Sequence, residues 1–186
     1  MADPVILPLL RERRSVREYD DSHELGTADL ASLLEAARWA PSAGNSQPWA
    51  FLVGRRGDAA HQIFVPLLAP SVRRWAPAAS ALVFALHQTA SGPEDDAPLY
   101  SDYAAYDLGQ AVAHLTVQAS AFGLSCHQFA AFDHDGMAAA CDVPAHWTVT
   151  TGIAVGLGIT AELAPRTRRP LTEIAYGARF GEPVSS

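Results

Sequence analysis

Four short apolar runs, each bounded by turn residues, alternate along the chain with segments of helical periodicity. The runs cover 49–53, 81–86, 125–129 and 148–157, and their length and their content of β-branched and aromatic residues predict strands. The longest helical pattern lies between the second and third runs, over 102–122. This alternation predicts a sheet layered by helices, in an α/β or α+β arrangement. No GxGxxG motif follows the first strand, which disfavours a Rossmann cofactor site.

Helical spacing of apolar residues predicts further helices over 5–13, 58–68 and 133–141. Another helix is predicted between Thr27, as its N-cap, and Pro41, which ends it. The segment 102–122 is apolar on most sides, which is typical of a helix buried in a core or in a dimer interface. The polar, proline-bearing residues 90–99 form a predicted surface excursion, where we expect substrate selection to lie.

Length and charge restrict the possible functions. The 186 residues suit a single domain over 1–186. A formal charge of −7 argues against a nucleic-acid function, because binding to a phosphate backbone needs cations clustered on one face. All 13 basic residues are arginine, which excludes chemistry built on a lysine Schiff base or a lysine nucleophile. Anionic groups must therefore be met by guanidinium groups, which suit phosphate.

No feature of the sequence indicates a membrane or secreted protein. The longest apolar stretch, near 76–86, is too short to span a bilayer as a helix. The N-terminal residues lack the order and length of a signal peptide. Cys126 and Cys141 cannot form a disulfide scaffold, and we expect both to be reduced and buried. These observations predict a cytoplasmic protein.

Two arginine groups lie at opposite ends of the chain, at 13–17 and 166–169. If the fold brings them together, they repel each other unless an anion lies between them, and a phosphate would supply both the charge and the acceptor oxygens. The alternative is that each group forms a solvated face or pairs with nearby acids such as Glu12, Asp20 and Asp21.

The segment PSAGNSQPW, residues 41–49, places a glycine, an asparagine and a glutamine immediately before a predicted strand. Side-chain amides and exposed backbone N–H groups at a sheet edge can bind a ligand. The alternative interpretation is an ordinary turn, although Gln47, beside Pro48 and Trp49, has no obvious role in one.

Two other groups of residues carry weaker signals. Asp133, His134 and Asp135 lie near other histidines and the cysteines, but their spacing fits no zinc signature, and Asp133 is predicted to be a helix N-cap. No metal site is therefore expected. Trp75, next to two arginines, is interpreted either as bordering a cleft or as surface packing. The sequence contains no GxSxG motif, so it gives no support for a hydrolase.

In its motifs and their order, the chain resembles the FMN-dependent nitroreductase family along nearly its whole length. Residues 13–17 are similar to the family's R-x-S-x-[KR] segment, and 40–49 match A-P-S-x-x-N-x-Q-P-W closely. The G-L segment after the long central helix is similar to 123–126. The G-x-G strand end and the R-x-P-L segment are similar to 156–158 and 168–171.

The resemblance implies an α+β fold, a three-layer α-β-α sandwich in which helices flank a mostly antiparallel sheet. It also implies a homodimer with a C-terminal extension and two composite FMN sites. Arg13, Ser15, Arg166 and Arg168 would hold the phosphate, Arg14 and Arg17 would lie toward the ribityl chain and the pyrimidine, and the 41–48 loop would come from the other subunit. The implied cofactor-binding residues are Arg13, Arg14, Ser15, Arg17, Pro41, Ser42, Ala43, Asn45, Gln47, Gln128, Phe129, Ala130, Ala131, Arg166, Arg168 and Arg169.

The chemistry implied by the resemblance belongs to the flavin. NAD(P)H would reduce it and a nitroaromatic, a quinone or a similar small acceptor would reoxidise it in a ping-pong scheme, with no protein acid or base and no catalytic side chain. A backbone N–H near Ala130 would face the flavin N5, although many relatives have glycine where this chain has Ala130 and Ala131. Two alternatives remain open: a flavoenzyme of another reaction type, such as reductive dehalogenation or substrate oxidation, and a flavin-binding protein without turnover.

Overall fold

A computed structural model describes residues 5–94, 96–159 and 165–184. Asp95, in the predicted excursion, lies outside the described residues. The helices are α1 (Pro8–Glu12), α2 (Thr27–Arg38), α3 (Ala59–Leu67), α4 (Pro70–Arg73), α5 (Ala104–Ala121) and α6 (His134–Ala140). The strands are β1 (Trp49–Arg55), β2 (Ala81–Gln88), β3 (Ser125–Phe129) and β4 (Trp147–Gly156). Short 3-10 turns cover Ala43–Asn45, Ala76–Ala78 and Leu171–Glu173.

The four strands form one antiparallel sheet in the order β1-β2-β4-β3. The last of these four strands, β4, therefore lies inside the sheet, between β2 and β3. Its pairing with β2 shifts register between Ala85 and Leu86. The sheet confirms all four predicted strands and the predicted α+β class.

Helices cover both faces of the sheet, because alternate side chains of each strand point to opposite sides. On β2, Val83 faces the core beside α2 and α5, whereas Phe84 faces the core beside α3 and α6. Leu108 and Leu115 of α5 fill the first core. The second core is aromatic, with Phe64, Phe84, Phe129 and Phe132 in edge-to-face contact. This layering confirms the predicted three-layer sandwich.

Local capping explains where several helices begin and end. Asp58 and Asp133 are the N-caps of α3 and α6, and each accepts a hydrogen bond from a backbone N–H three residues later. The helix α5 ends in a Schellman motif, in which Gly123 has a φ of 73° and Leu124 N–H donates to the carbonyl of Ala119. The G-L pair therefore has a structural reason: glycine allows the turn and leucine enters the core.

Three local predictions were wrong. Gly26, not Thr27, is the N-cap of α2, and this helix ends at Arg38, three residues before Pro41. The helix α1 begins at Pro8 rather than at residue 5, because proline favours the first turn of a helix. Cys126 is buried as expected, but Cys141 is only half-buried. Across the described residues, no helix is long and apolar enough to cross a membrane.

Candidate functional site

Arginines from the two ends of the chain meet in the structure. The half-buried guanidinium of Arg166 donates to the carbonyl oxygens of Arg13 and Arg11, the former at 2.5 Å. This contact fastens the segment after Pro165 to the end of α1. The fold therefore brings together two arginine groups that are remote in sequence.

A cavity of about 370 Å³ lies at this junction. It is lined by Ile6, Leu10, Arg11, Arg14, Arg166 and Arg168. Partial burial and the neighbouring guanidinium groups of Arg14, Arg168 and Arg13 lower the pKa of Arg166. Within the described part of the chain, no carboxylate lies within 4.0 Å of Arg13, Arg14, Arg166 or Arg168. The guanidinium groups of Arg14, Arg166 and Arg168 therefore give the cavity wall a positive charge that no nearby carboxylate among the described residues neutralises.

The alternative in which these arginines pair with Glu12, Asp20 or Asp21 is not observed among the described residues. Asp20 instead accepts hydrogen bonds from the backbone and hydroxyl of Ser22, which lower the pKa of its carboxyl. Arg14 caps the end of α1 by donating to the carbonyls of Arg11, Glu12 and Arg13 at 3.2–3.4 Å. These contacts orient the cations but leave their charge available to a ligand.

Arg13 and Ser15 lie side by side, with Arg13 Nη1 donating to Ser15 Oγ at 3.2 Å. Neither residue lines the arginine cavity. Arg13 also lies close enough to His127 and Cys126 to influence the pKa of both. The 13–17 segment thus faces β3 as well as the C-terminal arginines. Arg17 and Arg169 are exposed.

The G-x-G pair at the end of β4 holds the 13–17 segment in place. Gly158 bridges Tyr19, and the flanking backbone bonds join Asp20 N–H to Leu157 O at 2.9 Å and Ile159 N–H to Glu18 O at 3.0 Å. A Cβ at Gly158 would lie 2.9 Å from Val16 Cγ2, and one at Gly156 would lie 2.9 Å from the backbone nitrogen of Ser80. Both glycines are therefore required by close packing.

The 41–48 loop, which precedes β1, has an unusual backbone. Gly44, Asn45 and Gln47 have φ values of 59°, 56° and 52°. For residues other than glycine, this left-handed conformation costs about 1–2 kcal/mol each. Inside the loop, Gln47 N–H donates to Ser42 Oγ at 3.0 Å, and Gln47 Nε2 donates to the carbonyl of Asn45 at 3.1 Å. Pro41, Ala43, Asn45 and Gln47 are exposed, and Ser42 is half-buried.

Two side chains outside the loop fix its backbone. Asp107 of α5 accepts a hydrogen bond from Ala43 N–H at 3.0 Å, and the Tyr100 hydroxyl donates to Ser46 O at 2.9 Å. Sequence reasoning missed both residues. The available signal was a carboxylate within the apolar stripe of α5, where Asp107 is only 2% exposed.

Residues 128–131 form the end of β3 and the turn after it. Gln128 Nε2 donates to Thr116 Oγ1 at 3.3 Å, and Phe129 is buried in the aromatic core. Phe129 can therefore offer a ligand its backbone but not its ring. Ala130 and Ala131 are exposed, and the carbonyl of Ala131 accepts a hydrogen bond from Ala69 N–H at 3.0 Å.

Trp75 and His127 pack against each other beside the 13–17 segment, with their ring centroids 4.4 Å apart and their planes tilted by 31°. His127 Nδ1 lies 2.6 Å from the carbonyl of Val16, so this nitrogen carries the proton. Burial, and then the charges of Arg17 and Arg13, lower the pKa of His127, against the opposing effect of the Val16 hydrogen bond. Trp75, half-buried among Tyr19, His127 and Phe129, packs internally at the edge of this segment.

The structure does not bring all the predicted site residues together within one chain. Among the described residues, no hydrogen bond links the 41–48 loop to the 13–17 or 166–169 segments. Asp133 caps α6, as described above. In the described ranges, no group of three or more histidine, cysteine, aspartate or glutamate residues is arranged to hold a metal ion.

Comparison with known proteins shows what this chain is similar to. The model of the Nitroreductase family matches residues 10–157. An uncharacterized 15.4 kDa protein of Mycolicibacterium smegmatis is 37% identical over 157 residues, covering 72% of this chain and 99% of that protein. The major NAD(P)H-flavin oxidoreductase of Aliivibrio fischeri is 45% identical over 62 residues, which are 33% of this chain and 28% of that enzyme. A solved oxidoreductase containing FMN has a TM-score of 0.87 and 28% identity, covering 98% of this chain and 96% of that chain.

Proposed function

Because this chain belongs to the nitroreductase family, we propose that it is an FMN-dependent oxidoreductase that passes hydride from NAD(P)H to small acceptors such as nitroaromatics or quinones. The observation that carries this proposal is the meeting of arginines from both chain ends around one cavity, without a neutralising carboxylate beside Arg14, Arg166 or Arg168 among the described residues. A phosphate provides the missing charge and the acceptor oxygens. We further propose that residues 1–186 act as one domain in the cytoplasm.

The residues present fit a flavin phosphate. Arg166 and Arg168 line the cavity and supply guanidinium donors from one end of the chain, and Arg14 does so from the other end. In our proposal Arg13 and Ser15, which lie beside the cavity rather than in its wall, add a guanidinium and a hydroxyl. Arginine suits this role because its planar donors match phosphate oxygens. In our proposal Arg14, Arg17 and Arg169 add positive charge along the remainder of the cofactor.

We propose a homodimer in which the 41–48 loop of one subunit completes the flavin site of the other. The loop has exposed amide side chains but no hydrogen bond, within the described residues, to the arginines of its own subunit. Large apolar side chains are also exposed just after α2 and in the C-terminal segment, including Trp39 at 72% and Phe180 at 91%. Contact with a second copy would bury such surface.

FMN, when bound, supplies hydride transfer at its N5 atom, from NAD(P)H and then to the acceptor, in a ping-pong scheme. The protein's own residues would bind the cofactor and orient it. The backbone of residues 128–131 would pass the ring, and the exposed Arg17 would place positive charge where negative charge develops. The proposal assigns no protein acid or base.

The decisive test is the spectrum of the purified protein, followed by anaerobic titration with NADH and NADPH. We expect a yellow protein whose flavin band bleaches with a pyridine nucleotide and returns when a nitroaromatic or quinone is added. A colourless protein that takes up no FMN would remove the proposal. Flavin that only a dedicated substrate can reduce would indicate another reaction type.

A further inference from the structure

Asp107 is a buried carboxylate in an otherwise apolar setting. It lies on the inner face of α5 with Ala104, Leu108 and Ala111, and it is 2% exposed. Burying a carboxylate is costly unless hydrogen bonds compensate. The bond that the structure gives it comes from Ala43 N–H, 64 residues earlier in the chain. The Asp107 carboxylate therefore accepts a hydrogen bond from the 41–48 loop rather than from its own helix.

The loop needs such support, because its backbone is held in a conformation that its own sequence only partly favours. Asn45 and Gln47 have positive φ on either side of Ser46. The bonds from Gln47 to Ser42 and to Asn45 close the loop on itself but do not attach it to the rest of the protein. Conformations of this kind persist when the surroundings fix them.

Tyr100 provides a second attachment, from a different part of the chain. Its hydroxyl donates to Ser46 O, and its own N–H donates to Thr89 O at 3.1 Å. The latter bond closes the base of the 90–99 excursion, which is also held by the bridge between Ala90 and Leu99. The excursion and the loop are thus connected through one tyrosine.

We propose that Asp107 and Tyr100 are positioning residues, which together hold the 41–48 loop in the left-handed conformation in which it binds flavin. This inference rests on the proposed function, because the loop is taken to contact the cofactor. It adds that cofactor affinity depends on two residues that need not touch the cofactor. It also links the excursion to the flavin site.

The test compares four variants by FMN titration and by amide hydrogen exchange of Ala43 and its neighbours. Asp107→Ala removes the acceptor, Asp107→Asn keeps an acceptor of the same shape, and Tyr100→Phe removes only a hydroxyl. Ser120→Ala is the matched control, because it removes a hydrogen bond on α5, to Thr116 O, that does not involve the loop.

We expect Asp107→Ala to weaken FMN binding by roughly tenfold or more, because the hydrogen bond that holds Ala43 N–H is lost and that group is left without its partner. Asp107→Asn should restore affinity to within about threefold of the original protein, and Tyr100→Phe should weaken it by about two- to tenfold. Both Asp107→Ala and Tyr100→Phe should speed exchange in the loop. Ser120→Ala should change neither measurement.

The proposal is overturned if Asp107→Ala and Tyr100→Phe bind FMN as tightly as the original protein. It is equally overturned if Asp107→Asn loses as much affinity as the alanine variant, since the acceptor would then not matter. If Asp107→Ala does not fold, the asparagine and phenylalanine variants still decide. If the original protein takes up no FMN, the proposed function fails, and unchanged loop exchange in the variants would reject the positioning role separately.

Discussion

Replacing Gly158 with alanine should weaken both the fold and the cofactor site. A Cβ there would lie 2.8 Å from Ser125 Cβ and 2.9 Å from Val16 Cγ2, closer than such atoms normally approach. Val16 is only 2% exposed and lies between Ser15 and Arg17. To relieve these contacts, both Ser125 on β3 and Val16 of the 13–17 segment must shift away from the end of β4.

The size of the stability loss caused by Gly158→Ala follows from the kind of strain that alanine introduces. Gly158 is not among the glycines with positive φ, so the cost of alanine is steric rather than conformational. Overpacking of this kind lowers the free energy of unfolding by about 1–3 kcal/mol. With a urea dependence of about 2 kcal/mol per molar, the unfolding midpoint should fall by roughly 0.5–1.5 M.

Urea unfolding of the apoprotein, together with FMN titration, checks this expectation. Gly123→Ala is the matched control, because its φ of 73° makes alanine costly while no atom lies within 4 Å of the new Cβ. The control should lose about 1 kcal/mol of stability without losing FMN affinity. A Gly158→Ala protein with an unchanged midpoint and unchanged affinity would refute the packing argument.

Three further predictions concern single side chains. Arg168→Ala should weaken FMN binding by about 1–3 kcal/mol, whereas Arg38→Ala on α2 should leave it unchanged; equal affinities would count against the phosphate role. Burial in the folded state lowers the pKa of His127 below its ordinary value of 6.5, so the unfolded chain binds a proton at this histidine more readily than the folded protein does. The protein should therefore keep its full stability above pH 6.5 and lose part of it as the pH falls below 6.5. Urea unfolding at several pH values should show this loss, and His127→Gln should reduce it. Burial raises the pKa of Cys126 to about 12, so a thiol reagent should label the half-buried Cys141 first, and the reverse order in a mass spectrum would contradict the assigned burial.

Much of the fold could be predicted because its signals are local. The strands β1 to β4 are compact apolar runs, and the aspartates at 58 and 133 cap the helices that follow them. The errors are also local: Thr27 was placed one position outside the helix that it begins, because Gly26 leaves no side-chain signal at the cap. Pro8 marks the start of α1, whereas the apolar spacing alone predicts a start at residue 5.

The site was harder to predict, because its supports join distant parts of the chain. An anion site between the two arginine groups could be predicted from the sequence, because clustered positive charges repel each other unless an anion lies between them. The contacts of Asp107, Tyr100 and His127 span 64, 54 and 111 residues, and no periodicity in the sequence reports such pairs. A buried acid on an apolar helix stripe was the one visible hint.

The interior position of β4 has a consequence for how the protein is made. As the ribosome releases the chain, β1 and β2 can pair early, but β3 emerges before the strand that separates it from β2. Until residues 147–156 appear, a nascent β3 has no neighbour and its backbone groups remain open to other chains. The growing polypeptide is therefore most exposed to misassembly just before β4 is synthesised.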